Sequence, residues 1–329
     1  MGGHREGIRG HRRVTPPLRL LLSANAAAQL AEPIRERMAG RPHLLVETGD
    51  ADIAFVSRDV TGLSTKHRLE PRTQAFYENL LAAPSLRWVH VHSAGADRPV
   101  FVQLRERAVT VTTSSGNNAA VVAQTAVAGL LALARRFPQL AVAQRAHAWA
   151  PLIGSRMPHD LEGQQATIVG WGPIGRQLAR YLQMFGMKVA VVRSSAAPAA
   201  PDIPTVAFEQ LAEVLPATDW LVLACPLTDR THGLIGPAAL ALLPEGSHLL
   251  NVARGEVVDE AAIVEALRSG RLAGAFLDVF AYEPLPAESP LWDLPNVIAT
   301  PHSAGFSSGN AQRVAAMFLD NLTDWLSRH

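Results

Sequence analysis

The sequence predicts an α/β protein of two domains, each built around a mostly parallel sheet, and three observations predict it. Short apolar runs alternate with helical stretches along the chain. A G-x-G-x-x-G pattern at Gly170, Gly172 and Gly175 stands between an apolar run and a helix. The length, 329 residues, is too great for one small core and suits two domains of ordinary size.

In the first series, residues 18–22, 44–46, 53–56, 88–91 and 109–112 read as buried strands, with helices over 26–38 and 73–82 between some of them. Residues 117–137 then read as one long helix, with turn and cap chemistry at 114–118. It is apolar around most of its circumference, so burial on more than one side is expected, between domains or at a subunit interface. The second series places strands at 166–169, 189–192, 220–224, 248–252, 273–279 and 297–300. Residues 196–204 read as an Ala/Pro-rich loop. A terminal amphipathic helix over 308–326 is long enough to return to the first domain.

Composition narrows the function. The 30 Lys and Arg balance 29 Asp and Glu for a net charge of +1, which leaves no basic footprint for nucleic acid. The single cysteine, Cys225, excludes an intrachain disulfide and a thiolate metal cluster, so a reducing, cytoplasmic setting is expected. No run approaches the roughly 18 apolar residues of a membrane span. Residues 1–17, with glycines among Arg5, Arg9, Arg12 and Arg13, read as a disordered basic leader.

The glycine pattern carries chemistry. Thr167-Ile168-Val169-Gly170-Trp171-Gly172-Pro173-Ile174-Gly175 runs from a strand into a helix, as a dinucleotide-binding turn requires. Gly170 permits the tight turn, Gly172 lets a pyrophosphate approach the backbone, and Gly175 lets helix and strand pack closely. The helix N-terminus, with Pro173 and Ile174 in its first turn, offers free N–H groups and partial positive charge to phosphates. An acidic residue normally closes the next strand to bind the adenosine ribose. Here Arg193, Ser194 and Ser195 stand there. A guanidinium holds a 2′-phosphate bidentately, so NADP(H) is expected over NAD(H), with NAD(H) still possible if Arg193 merely stacks on adenine.

Three polar motifs follow later strands, where an open α/β sheet places its ligand crevice. They are Asn251-Val252-Ala253-Arg254-Gly255, Leu277-Asp278-Val279-Phe280-Ala281-Tyr282-Glu283-Pro284 and Thr300-Pro301-His302-Ser303-Ala304-Gly305. With the glycine motif, in this order and spacing, they resemble the D-isomer-specific 2-hydroxyacid dehydrogenase family, from about Leu18 to the C-terminus. The resemblance implies two Rossmann- or flavodoxin-like domains with the active site in the cleft between them. Residues 18–116 with 305–329 would form the substrate domain, and 117–304 the dinucleotide-binding domain. It implies a glyoxylate/hydroxypyruvate reductase-like activity in which His302 is the general acid and base. Glu283 would orient His302, and Arg254 would bind the substrate carboxylate and polarise the carbonyl. Asp278 occupies the position that usually bonds the nicotinamide carboxamide, and Cys225 and Pro226 lie near where that ring should rest.

In the first domain, Trp88-Val89-His90-Val91-His92-Ser93-Ala94-Gly95-Ala96-Asp97 resembles the family's substrate loop, with Ala94 and Gly95 offering main-chain N–H groups to the carboxylate. Ser93 stands where glycine is common and Ala96 where valine is usual. His90 and His92 lack a third ligand, and no metal is expected. Gln124 replaces a frequent glutamate. Trp149 either walls the substrate pocket across a dimer interface or sits in the core. Cys225 reads as a small buried filler. The expected partners are a small 2-keto or 2-hydroxy acid and a second copy of the chain in a homodimer. A non-catalytic dinucleotide sensor or corepressor on the same fold is the alternative, opposed by the retained Arg254, Glu283 and His302. Glutamate at 283, not glutamine, opposes a formate-type donor.

Overall fold

The computed structural model describes residues 16–329. All but the last two residues of the expected leader lie outside the described residues. Five strands make the first sheet: β1 (Leu18–Leu21), β2 (His43–Val46), β3 (Ile53–Val56), β4 (Trp88–Val91) and β5 (Thr110–Thr113), in the spatial order β2-β1-β3-β4-β5. Each neighbouring pair is parallel. Parallel strands need both faces covered, and every residue of β3 and β4 is buried. Helices Ala24–Met38 and Asn310–Arg328 cover one face, while Pro71–Ala82 and Pro99–Glu106 cover the other. The first of these starts where Ser23 accepts a hydrogen bond from the Ala26 N–H. The terminal helix docks through Phe318, whose ring stacks on Phe55 at 4.5 Å and on Trp88 at 5.7 Å.

The second sheet has seven strands, all in parallel pairs: β6 (Gln165–Val169), β7 (Lys188–Arg193), β8 (Thr205–Ala207), β9 (Trp220–Leu223), β10 (Ser247–Asn251), β11 (Leu272–Leu277) and β12 (Val297–Ala299). Their order is β12-β11-β10-β9-β6-β7-β8. The chain leaves β6 in one direction and returns to its other side at β9, so a crevice opens between the carboxyl ends of β6 and β9. Helices Ala119–Ala134 and Pro173–Met184 pack on one face, and Pro237–Leu242 and Glu260–Arg268 on the other.

Two expectations about elements are corrected. The helix expected over 117–137 ends at Ala134, and a second helix, Phe137–Arg145, leaves at 66°. Arg136 turns into the left-handed region at φ 54°, and Pro138 falls in the first turn of the new helix, where its missing N–H costs nothing. The first helix also keeps an exposed stripe at Ala120, Gln124 and Ala128. The sheet gains an edge strand, β8, just after the Ala/Pro-rich loop; three residues are too few to show a period. The short helix Arg58–Thr61 and the helix Pro99–Glu106 were likewise not expected from the sequence.

His90 belongs to this core. Its ring is buried against Phe55 and Phe318, with Nδ1 2.9 Å from the Thr112 hydroxyl and Nε2 3.1 Å from that of Ser114. Burial pushes its pKa down to about 4. The folded state then refuses a proton that the unfolded chain accepts below about 6.5. Its contribution to stability is complete above pH 6.5 and is lost as pH falls toward 4. Each such histidine adds about 1.4 kcal/mol per pH unit to the slope. Urea unfolding across that range should therefore show stability rising with pH, and His90→Gln should flatten the slope by about one proton.

Candidate active site

The glycine turn after β6 lies where the two halves of the second sheet diverge. Gly170 has φ 109°, and a Cβ there would come 2.6 Å from the Ala224 carbonyl oxygen after β9. Only glycine fits both demands. Gly175 packs its bare Cα on the Gly170 carbonyl, while a Cβ on Gly172 would meet nothing within 4 Å. The helix from Pro173 has Gly172 as its cap residue and no side-chain cap, so its first-turn N–H groups at Ile174 and Gly175 have no acceptor among the described residues. Beside it lies a cavity of about 480 Å³ lined by Gly170, Trp171, Gly172, Arg193, Cys225 and Pro226, among others. Open backbone, unanswered N–H groups and this volume fit the phosphates and adenosine of a nicotinamide dinucleotide.

Ser194 also lines the cavity, and Ser195 lies outside its lining. Arg193 ends β7 at the rim. A second cation, Arg230, was not anticipated from the sequence. It donates to the Ser194 carbonyl at 3.1 Å, pairs with Glu209 at 2.6 Å and lies over the Phe208 ring at 5.2 Å. Nothing at residue 230 marks it in the sequence, because its partners come from separate loops.

His302, Glu283 and Arg254 come from the ends of three adjacent strands. His302 Nδ1 lies 2.8 Å from Glu283 Oε2, and Glu283 Oε1 accepts the Phe280 N–H at 3.2 Å. Burial works against the charged carboxylate, but the bond and charge of His302, the Phe280 N–H and Arg254 outweigh it. Glu283 is held below the usual carboxylate range. His302 itself sits at φ 50°, a left-handed backbone uncommon outside glycine. Its N–H donates to the carbonyls of Asp278 at 2.8 Å and Thr300 at 3.0 Å. The Asp278 carboxylate takes the Thr300 hydroxyl at 2.7 Å and the N–H groups of Ser303 and Ala304. The family resemblance implies that Asp278 lies beside the nicotinamide carboxamide, and its carboxylate also ties down the loop that carries His302. Burial raises its pKa despite those donors.

Arg254 is held by its own turn. Asn251, fully buried, receives the Ala253 N–H and donates to the Arg254 carbonyl, both at 3.0 Å. The guanidinium then crosses to the first domain, with Nε and Nη2 each 3.4 Å from the Asp97 carboxylate. It lies so close to Gly95 that a Cβ there would overlap Nη2. Burial works against the Asp97 carboxylate, yet Arg254 holds it below its usual range. The loop between them is shaped by Ser93, whose hydroxyl donates to the Gly95 carbonyl at 2.6 Å. The N–H groups of Ala94 and Gly95 have no acceptor among the described residues. The departure at Ser93 thus closes the turn through its own hydroxyl.

Three consecutive residues of the first domain clasp the same machinery. The Thr65 hydroxyl donates to the Glu283 carbonyl at 2.6 Å, and His67 Nδ1 accepts the Glu283 N–H at 3.3 Å while its ring stacks on Tyr282 at 4.5 Å. Between them, Lys66 pairs with Glu256 at 2.6 Å. Sequence reasoning missed Asp97, Asn251 and this clasp. The short polar stretch Ser64-Thr65-Lys66-His67 reads as ordinary loop, and its partners lie about 190 to 218 positions away. Trp149 is 94% exposed, which rules out a core position. Its neighbours Phe137, Val142, Ile153 and Met157 are exposed as well.

The sequence profile of the D-isomer specific 2-hydroxyacid dehydrogenase family, NAD binding domain, matches residues 127–304. The chain is 35% identical over 245 residues to a glyoxylate reductase of Korarchaeum cryptofilum, covering 73% of each protein. It is 36% identical over 252 residues to glyoxylate/hydroxypyruvate reductase B of Yersinia enterocolitica, covering 76% of each. A crystal structure of a D-isomer specific 2-hydroxyacid dehydrogenase from Xanthobacter autotrophicus in complex with NADPH and MES superposes with a TM-score of 0.72 at 28% identity, over 93% of either chain. The chain belongs to the D-isomer-specific 2-hydroxyacid dehydrogenase family. It is an enzyme of NAD(P)-dependent 2-keto and 2-hydroxy acid chemistry, with a small-molecule substrate.

Cys225 lines the cavity without being a reactive thiol. It is 4% exposed, and burial pushes its pKa up to about 11. At pH 8 a disulfide reagent should leave the native protein unlabelled and titrate one thiol after unfolding in urea; rapid native labelling would contradict this burial.

Proposed function

We propose that the protein reduces glyoxylate, hydroxypyruvate or a related small 2-keto acid, with NADPH preferred over NADH. The observation that carries this reading is the juxtaposition of an oriented His302–Glu283 pair with Arg254 lodged on the Gly95 backbone. Bound in the crevice, the nicotinamide dinucleotide supplies or accepts hydride. The chain's own residues do the rest. Glu283 on Nδ1 fixes the His302 ring, so that Nε2 holds the proton for the keto oxygen and can recover it in the reverse direction. The nearby carboxylate also stabilises the imidazolium that this task requires. Arg254 grips the substrate carboxylate and polarises the carbonyl beside it. In the structure its guanidinium rests on Asp97, which an incoming carboxylate would displace. The open N–H groups of Ala94 and Gly95 complete the carboxylate's cradle. Asp278 braces the His302 turn through these bonds, and its place after β11 suits contact with the nicotinamide carboxamide.

The cofactor preference rests on the crevice rim. Arg193 and Arg230 both line the crevice, two cations that would suit an adenosine 2′-phosphate, and the carboxylate of Glu209 is engaged by Arg230. A homodimer is supported by the exposed apolar side chains gathered between Phe137 and Met157, Trp149 foremost.

NADPH absorbance followed with a panel of keto acids tests the reading. His302→Ala should lower kcat by about a hundredfold or more while cofactor affinity changes little; equal losses in both would remove its role. Arg193→Gln should lower kcat/KM for NADPH about tenfold or more and leave NADH nearly untouched. A wild-type enzyme indifferent to the 2′-phosphate would refute the preference.

A further inference from the structure

Glu283 is held from two sides. Its carboxylate is fixed within the second domain, by His302 Nδ1 at 2.8 Å and the Phe280 N–H at 3.2 Å. Its backbone is fixed by the first. The Thr65 hydroxyl donates to its carbonyl at 2.6 Å, and His67 Nδ1 accepts its N–H at 3.3 Å. Among the described residues these are the only hydrogen bonds of the Glu283 backbone. The residue lies in a stretch without helix or strand between β11 and the helical turn at Pro290–Trp292. No ladder of its own sheet therefore supplies what the first domain supplies.

The turn that makes these bonds is stiff and belongs to the first domain. The Thr65 N–H donates to the Arg68 carbonyl at 2.9 Å. The Thr65 hydroxyl accepts the N–H groups of His67 at 3.3 Å and Arg68 at 3.0 Å. A hydroxyl has two acceptor positions and one proton. With both acceptor positions filled from inside the turn, the proton has one place to go, the Glu283 carbonyl. At His67 the partner is an N–H, so Nδ1 is the bare nitrogen and Nε2 carries the hydrogen. Ser64 roots the turn. It is buried, its hydroxyl meets that of Thr73 at 2.6 Å and takes the Glu70 N–H at 2.9 Å, and Arg98 donates to its carbonyl at 2.6 Å. Lys66 adds an ion pair at 2.6 Å with Glu256, two residues beyond Arg254.

A carboxylate aligns an imidazole only while its own Cα stays in place. A backbone displacement of about 1 Å takes the Glu283–His302 bond out of hydrogen-bond range, and a misplacement of that size can cost catalysis about a hundredfold. We infer that Thr65 and His67 are positioning residues, through which the first domain sets the alignment of the proton-donating pair in the second. This rests on the reading of His302 as the proton donor to a keto acid. Both residues act through Glu283 and not on the substrate. Thr65 carries most of the effect, because its bond is the shorter and the less exposed.

NADPH oxidation with glyoxylate and hydroxypyruvate reads the effect. Thr65→Val keeps the shape and loses the donor. It should lower kcat about fivefold to tenfold, the worth of one neutral hydrogen bond, with the KM for NADPH little changed. Thr65→Ser should recover most of that loss. His67→Phe keeps the stack on Tyr282 and loses the acceptor, and should lower kcat about twofold to fivefold. A cycle with Glu283→Ala separates positioning from general support of the fold. In that background Thr65→Val should have no further effect on kcat, because the carboxylate it positions is gone. An undiminished loss there, or an unchanged kcat in Thr65→Val alone, overturns the inference. Proton NMR reads the same alignment without turnover. The low-field resonance of the Nδ1 proton bonded to Glu283, assigned by its loss in His302→Ala, should persist in Thr65→Ser and shift or vanish in Thr65→Val. That outcome in a protein that reduces no keto acid upholds the positioning while the proposed reaction falls. A resonance unmoved by Thr65→Val in an active reductase sinks the positioning and leaves the reaction standing.

Discussion

Parallel pairing within each sheet is the constraint on which the site depends. When all strands of a sheet point one way, all their carboxyl ends share one edge, and the connections there are free to carry chemistry. The polar groups of the cleft follow strand ends in turn: Ser93 to Asp97 after β4, Gly170 after β6, Cys225 after β9, Arg254 after β10, Asp278 after β11 and His302 after β12. Such sheets survive only if both faces are covered. The flanking helices and the buried runs of β3, β4 and β9 are therefore as much a requirement of the site as its polar residues.

Each polar group is fixed by others. Asn251 ties off the turn that presents Arg254, and Asp278 gathers the donors of the turn that presents His302. His302 occupies a left-handed backbone that costs an L-residue about 1–2 kcal/mol. The two hydrogen bonds of its own N–H and the buried Asp278 beneath it hold that conformation. A ring so constrained has little orientational freedom to lose when substrate arrives.

The two domains meet through polar contacts at the cleft. Thr65, Lys66 and His67 grip both backbone groups of Glu283 and the carboxylate of Glu256, and Asp97 holds Arg254 from the opposite wall. The same residues thus hold the Glu283 and Arg254 loops and join the two walls of the cleft. The Asp97 pair is the weaker contact by distance, 3.4 Å against 2.6 Å for Lys66. In the proposed reaction it is the contact whose exchange for a substrate carboxylate conserves charge at Arg254.

The sequence by itself determined the α/β class, the glycine turn, the family and the residues after the later strands. These are local signals: apolar runs, a strand-to-helix order and motifs confined to a few consecutive positions. It did not determine the break at Arg136, because the apolar pattern continues through a bend set by one left-handed residue and a proline. Nor did it reveal β8, Asp97, Asn251 or the Thr65–His67 clasp. It also could not show that Trp149 stands in solvent. Those facts depend on which distant segments meet, and the only physical quantity that decides them is the packing of two sheets and their helices into one cleft.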